Sequence, residues 1–304
     1  MPHTMPYVAP TSDTDKRDMT IFRGIAIVLG LLVIAGTAAL AGERPREIGR
    51  TTEKEVNVVL SSAFGTVVIS KGDPGTIFLA KLIHGEAQPP ISISYSIRNR
   101  VGYLEIALGE ESNNEDGKGD PWTFHGGEWD LEFCNAIPLS FDIELGLGKG
   151  ELNLSGLQVK DFTLSTGASE VTMNFDEENT SSIEHLSIES GLSKFTGLNL
   201  GNANFKEFRF DGGVGTYYLD FSGKLKREVD VDVEIGLGIL TLVIPSDVGA
   251  RLSYEKSWIS RLDCDRDFAR VDGEEYITEN FKSSVGRMNI RVESGLGSVR
   301  IRRP

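Results

Sequence analysis

A chain of 304 residues, 39% hydrophobic and 25% charged, has enough apolar side chain for a packed core and room for one to three domains. Its formal charge of −14 arises entirely beyond residue 42, because residues 1–42 balance three acids (Asp13, Asp15, Asp18) against three bases (Lys16, Arg17, Arg23). So acidic a body repels nucleic acid and anionic headgroups, and the closing "RIRRP" is too short a basic patch to reverse that.

Residues 1–20 are a polar tail, long for a leader, and Met19 opens a compact leader of its own, which points to a start at Met19. Residues 21–42 contain "GIAIVLGLLVIAGTAALAG", Gly24 to Gly42, without a charge and with basic residues before it. That pattern fits a signal peptide cleaved after Ala41, or one uncleaved hydrophobic helix that anchors the chain. Either way the body is expected outside the cytoplasm.

Residues 43–135 read as an N-terminal β region interrupted by an acidic loop over 109–130, "GEESNNEDGKGDPWTFHGGEWD". From Glu110 to Glu132 there are eight acids and one base, Lys118, which accounts for half of the net charge. Long loops on rigid scaffolds often carry function. Hard oxygen ligands at Asp116, Asp120, Glu128 and Asp130 would suit calcium, although no EF-hand register is met, since Thr123 stands where the closing Glu belongs. Trp122, His125 and Trp129 are the binding candidates in the same stretch. Cys134 and Cys264 are the two cysteines, and in an exported protein they could pair.

Residues 136–304 are dominated by a repeat. Seven related segments recur: "LSSAFGTVVI", "IELGLGKGELNL", "LSTGASEVTMNF", "IESGLSKFTGL", "FDGGVGTYYLDF", "VEIGLGILTLVI" and "VESGLGSVRI". Their lead positions Gly146, Gly167, Gly191, Gly213 and Gly236 are 21, 24, 22 and 23 residues apart, with Ala63 before and Gly295 after. A period near 22 marks units that bury their apolar faces by stacking on neighbours. In one unit Val231, Val233, Ile235 and Leu237 alternate as in a half-buried strand. A step of three to Leu240 follows, then alternation resumes, and the same step separates Phe64 from Val67, Leu192 from Phe195 and Leu296 from Val299. Such a step requires a bend or bulge, which explains the glycines Gly146, Gly148, Gly167, Gly191, Gly213, Gly215, Gly236, Gly238, Gly295 and Gly297 as corners. They are not phosphate loops, because strand-like residues follow them where a helix N-terminus would be needed. In "GLGKGELNL", Lys149 and Gly150 read as two extra residues at the corner. The stretch Ser246 to Asn289 breaks the repeat and reads as a hairpin-like excursion.

The expected fold is therefore all-β: an elongated repeat of about 22 residues per unit, solenoid-like, with a twisted β-sandwich as the alternative. A stack of this kind exposes sheet edges at both ends, which favours self-association. Catalytic signatures are missing: there is no Gly-x-Ser-x-Gly, no His-Glu-x-x-His and no paired metal-ligand spacing. Nothing calls for a cofactor. Glu144, Glu189, Glu234 and Glu293 recur before the glycines and line an outer face. They leave a polysaccharide-cleaving β-helix as a third reading, behind a scaffold and a glycan-binding or adhesin-like module.

The repeated "GLG" corners, "VIPSDVGARLSYE" (Val243 to Glu255) and the closing "VESGLGSVRI" resemble the toast-rack and LiaF-like group of bacterial cell-envelope proteins. The resemblance implies an extracytoplasmic, non-catalytic β-rich module, and LiaF-like members modulate envelope-stress signalling by a membrane sensor kinase. A single apolar segment departs from those regulators, which carry several spans. The implied partners are an envelope or membrane protein such as a sensor kinase, or cell-wall glycan.

Overall fold

Alternating apolar residues and the near absence of helical periodicity leave strands as the way to bury this sequence. A computed structural model describes residues 46–84, 91–109, 127–256 and 259–304. The expectations for residues 1–42, including the leader or anchor and the start at Met19, lie outside the described residues. Among those described, no helix is long and apolar enough to cross a membrane.

The strands are β1 (Arg46–Gly49), β2 (Glu55–Lys71), β3 (Thr76–His84), β4 (Ile91–Arg98), β5 (Val101–Leu108), β6 (Glu128–Phe133), β7 (Pro138–Asn153), β8 (Gln158–Asn174), β9 (Ile183–Leu198), β10 (Phe205–Asp220), β11 (Glu228–Val243), β12 (Gly249–Lys256), β13 (Ser260–Cys264), β14 (Phe268–Asp272), β15 (Glu275–Thr278) and β16 (Arg287–Arg302). Among the described residues only two 3₁₀ turns, Leu200–Ala203 and Glu279–Lys282, interrupt the strands.

The long strands β2, β7, β8, β9, β10, β11 and β16 pair side by side and in parallel, one layer per repeat. Each runs in two arms. On β11, Val229, Val231, Val233 and Ile235 point inward on the first arm, and Leu240 and Leu242 on the second. The inward parity changes across Gly236–Gly238, and the arms fold towards one another there. Phe208 and Phe221 show this: thirteen residues of straight strand would hold them about 43 Å apart, yet their ring centroids are 5.3 Å apart, edge to face. Leu237 departs from the sequence reading, as do its counterparts Leu192, Val214 and Leu296. It was expected inside, but it is 45% exposed, because the inward step is five residues, Ile235 to Leu240, and the bend turns the intervening side chain outward.

Two layers are assembled from separate strands. The first arm of β2 pairs with β5 and its second arm with β6, while β12 and β13 pair with the two arms of β16. The acidic loop therefore leaves and re-enters the sheet at the bend position of its layer, and its last part is strand: Glu128, Trp129 and Asp130 belong to β6. Residues 246–289 are likewise more than an excursion, since they supply a further layer and the β14–β15 hairpin. The division at residue 135 does not divide the sheet, because β2 pairs directly with β7.

Three of the four end arms are covered, whereas β13 pairs with β16 alone among the described residues. Antiparallel β4 covers β5, β3 and β1 extend beyond β6, and β15 and β14 extend beyond β12. Such coverage blunts edge-to-edge pairing at those three arms. The return segments are held by buried asparagine: Asn179 donates to the carbonyls of Val159 (2.7 Å) and Ala203 (3.0 Å) and accepts the Val159 N–H at 3.0 Å. Backbone groups that no ladder reaches are satisfied this way.

Candidate functional site

At the bend the chain brings three rows of residues to the surface. The first is set by register: Ser61, Glu144, Ser165, Glu189, Asp211, Glu234 and Glu293 stand side by side on successive layers from β2 to β16. Alternation on the first arm turns them away from the core. The recurring glutamates of the sequence thus form one line, to which Asp211 and Ser165 also belong.

The second row is glycine. A Cβ on Gly236 would meet the Gly213 carbonyl oxygen at 2.8 Å, and one on Gly295 the Gly236 carbonyl oxygen at 2.5 Å. The same approach repeats back through Gly213, Gly191, Gly167 and Gly146 to the carbonyl of Ala63. Close stacking of bends, layer upon layer, leaves no room for a side chain here. The glycine after the outward Leu adds a second requirement: Gly238 (φ 149) and Gly297 (φ 146) adopt a backbone that L side chains rarely enter. Lys149 and Gly150 are not insertions, since they pair with Glu170 and Val171, and Gly150 takes an ordinary inward position.

The third row is apolar and exposed. Leu147, Leu192, Val214, Leu237 and Leu296 are equivalent by register, together with Phe64 and Ala168, and Leu192 is 63% exposed. Five of the seven layers turn a large hydrophobic side chain to water here, with Ala168 as the small member of the row, and exposed apolar surface of this extent marks interaction surfaces.

Between the carboxylates and the glycines lies a trough of about 910 Å³, lined from Ser61 to Gly236. Its floor is glycine backbone with buried hydroxyls beneath: Thr166 donates to Ser190 Oγ at 3.3 Å, and Ser190 in turn meets Ser193. Glu144, Glu189 and Glu234 are exposed and make no hydrogen bond or ion pair among the described residues. Asp211 accepts from Arg209 Nε at 2.9 Å, and Glu293 shares Arg291 with Glu255, the latter pair being the closer at 2.8 Å.

The acidic-loop candidates are placed differently. Asp116, Asp120, Trp122 and His125 lie outside the described residues. Glu128 stands opposite His84, and Asp130 opposite Lys81, whose ammonium pairs with Glu132. Burial first, and then the charge of Glu132, pushes the Asp130 carboxyl above its ordinary value. Among the described residues no group of three or more His, Cys, Asp or Glu side chains converges on a metal position. Trp129 was expected on a binding face; it is 7% exposed and sits in the core beside Val67 and Leu82, because β6 alternation turns it inward.

The disulfide expectation is corrected. Cys134 and Cys264 are both free thiols. Cys134 directly follows β6 and Cys264 ends β13, eight strand steps away, or about 38 Å. Bridged cysteines need Cα atoms within about 7 Å. Burial, followed by Asp265 and Asp263, drives the Cys264 thiol up to about 12.

Sequence reasoning missed the outward apolar row and Asp211. The signal was present as the five-residue gap between inward positions, which was hidden by assigning Leu237 to the core.

A family model described as the N-terminal domain of toast_rack, DUF2154, matches residues 41–196 and 184–243. Two solved structures are similar. One is a candidate cell adhesion protein from Clostridium sporogenes, 19% identical, with a TM-score of 0.38, covering 86% of this chain and 100% of its own. The other is a candidate adhesin from Bacteroides fragilis, 11% identical, with a TM-score of 0.32, covering 84% of this chain and 97% of its own. No curated protein is a match.

Proposed function

Because the chain belongs to the family of the toast_rack N-terminal domain, we propose that it is an extracytoplasmic cell-envelope module that works by binding rather than by catalysis. Its layers form a solenoid-like coil, and the trough at the bend is its binding face. The single observation that carries this reading is the exposed apolar row running beside the carboxylate row over six layers, with a glycine floor between them. Solubility alone asks for charge on an outer face and gives no reason for one exposed Leu or Val in nearly every layer. Glu144, Glu189 and Glu234 recur at equivalent register positions with no one pair singled out, which suits a repeated docking surface better than a pair of catalytic acids.

Export rests on the apolar segment Gly24 to Gly42, as a signal peptide or a single membrane span. The partner in this reading is an envelope polypeptide, with a membrane sensor kinase as the specific case for stress signalling. A C-terminal fusion to a phosphatase that folds only outside the cytoplasm tests the location. Activity of the fusion, lost on deleting residues 21–42, supports the reading; an inactive fusion at normal protein level contradicts it.

A further inference from the structure

The three unpaired carboxylates of the trough lie on alternate layers: Glu144 on β7, Glu189 on β9 and Glu234 on β11. With strands about 4.8 Å apart, successive members of this set are about 9.6 Å apart. The intervening layers carry Ser165, which is uncharged, and Asp211, which Arg209 neutralises. Charge complementarity calls for cations at that interval.

An extended polypeptide in the polyproline II conformation rises about 3.1 Å per residue with three residues per turn, so every third side chain returns to the same face after about 9.3 Å. That repeat matches the carboxylate interval to within a few tenths of an ångström. A β-strand matches less well, because same-face side chains recur at about 6.7 Å. The bordering row Leu147, Leu192, Val214 and Leu237 offers apolar contact to the other two residues of each turn.

Building on the trough as the binding face, we propose that it binds an extended, basic polypeptide segment of polyproline II form, laid across the strands, with Lys or Arg at every third position. About seven residues span Glu144 to Glu234. Nothing anionic fits, which sets aside a second copy of this acidic chain laid trough to trough. Arg209 faces the row at Asp211, as Arg291 does at Glu293, and is held charged first by Asp211 and then by the fields of Asp232 and Glu234. Its ion pair is with Asp211, and Glu144, Glu189 and Glu234 keep none among the described residues.

The test is a titration of the full-length chain with fluorescent Arg-Pro-Pro-Arg-Pro-Pro-Arg, followed by anisotropy at low and physiological salt. A peptide of the same composition with its three arginines adjacent serves as the comparison. The spaced peptide is expected to bind at least ten-fold more tightly, with affinity falling as salt rises. Glu144→Gln, Glu189→Gln and Glu234→Gln combined should abolish the preference while leaving the melting temperature unchanged, and Leu192→Ser with Leu237→Ser should weaken both peptides. Equal affinity for the two peptides, no binding of either, or undiminished binding by the triple variant overturns the proposal. Peptide binding replaced stoichiometrically by calcium would assign an ion site and overturns it too. The trough reading fails separately, if photo-crosslinkers along the trough capture no more than those on the opposite arm.

Discussion

Phe210 and Tyr217 lie on the two arms of one strand and meet edge to face, with ring centroids 5.0 Å apart. Seven residues of straight strand would separate them by about 23 Å, so the pair exists only because the chain bends between them. Phe210 also touches Phe195 of the preceding layer at 5.3 Å. Phe210→Ala removes both contacts from a site with no exposure and should cost about 3–5 kcal/mol, read as a lowered denaturation midpoint with an unchanged trough.

The bends themselves depend on glycine in a way that one substitution pair isolates. Gly297→Ala asks a Cβ to overlap the Gly238 carbonyl at a φ of 146. The strain alone is worth about 1–3 kcal/mol, and the overlap adds to it. Gly49→Ala, where nothing stands within 4 Å of the new atom, should change stability by less than about 0.5 kcal/mol. Equal effects from the two would mean that the layers are not stacked this closely.

Acid stability should depend on Glu53, which is only 2% exposed. Burial pushes its carboxyl up, but its own N–H, the Tyr95 hydroxyl at 2.7 Å, and the hydroxyl and N–H of Thr51 together pull it below its ordinary value of 4.5. A carboxylate lowered on folding stabilises the folded state above its unfolded value, and that contribution is lost as pH falls through the folded one. Glu53→Gln should therefore cost about 1–3 kcal/mol at neutral pH and flatten the fall in stability below pH 4.5. A parallel pH profile for the variant would contradict this.

Both thiols should resist modification in the native state. The Cys264 thiol, raised to about 12, is scarcely ionised at pH 8, and Cys134 is buried. Thiolate is the reactive form, so iodoacetamide should label neither cysteine until denaturant is added, and then both. One rapidly labelled site, or a missing pair of thiols in unreduced denatured protein, would refute this arrangement.

The repeat, the strands and the positions of the bends were legible in the amino-acid order because each rests on local pattern. Alternation marks Val229 to Ile235, and glycine marks places where a neighbouring carbonyl intrudes. What was not legible depends on which side of a bend a residue falls. Leu237 looks like core by alternation and is exposed because the arm turns before reaching it; Trp129 looks like a loop aromatic and is buried because β6 begins sooner. Chain order also concealed that β12 and β13 lie beyond β16, since that placement is decided by which arm each segment pairs with. The carboxylate row was visible as a recurrence, yet its closeness to a glycine floor and an apolar border required the register.

The most direct test places a photo-crosslinking residue at Ser165, on the trough row, and for comparison at Glu151, on the other arm, in the full-length chain in cells. We expect Ser165 to capture a polypeptide carrying a basic extended segment, with capture lost in the Glu144, Glu189 and Glu234 to Gln variant and absent from Glu151. Capture that is equal at the two positions, or indifferent to the three carboxylates, would contradict the account.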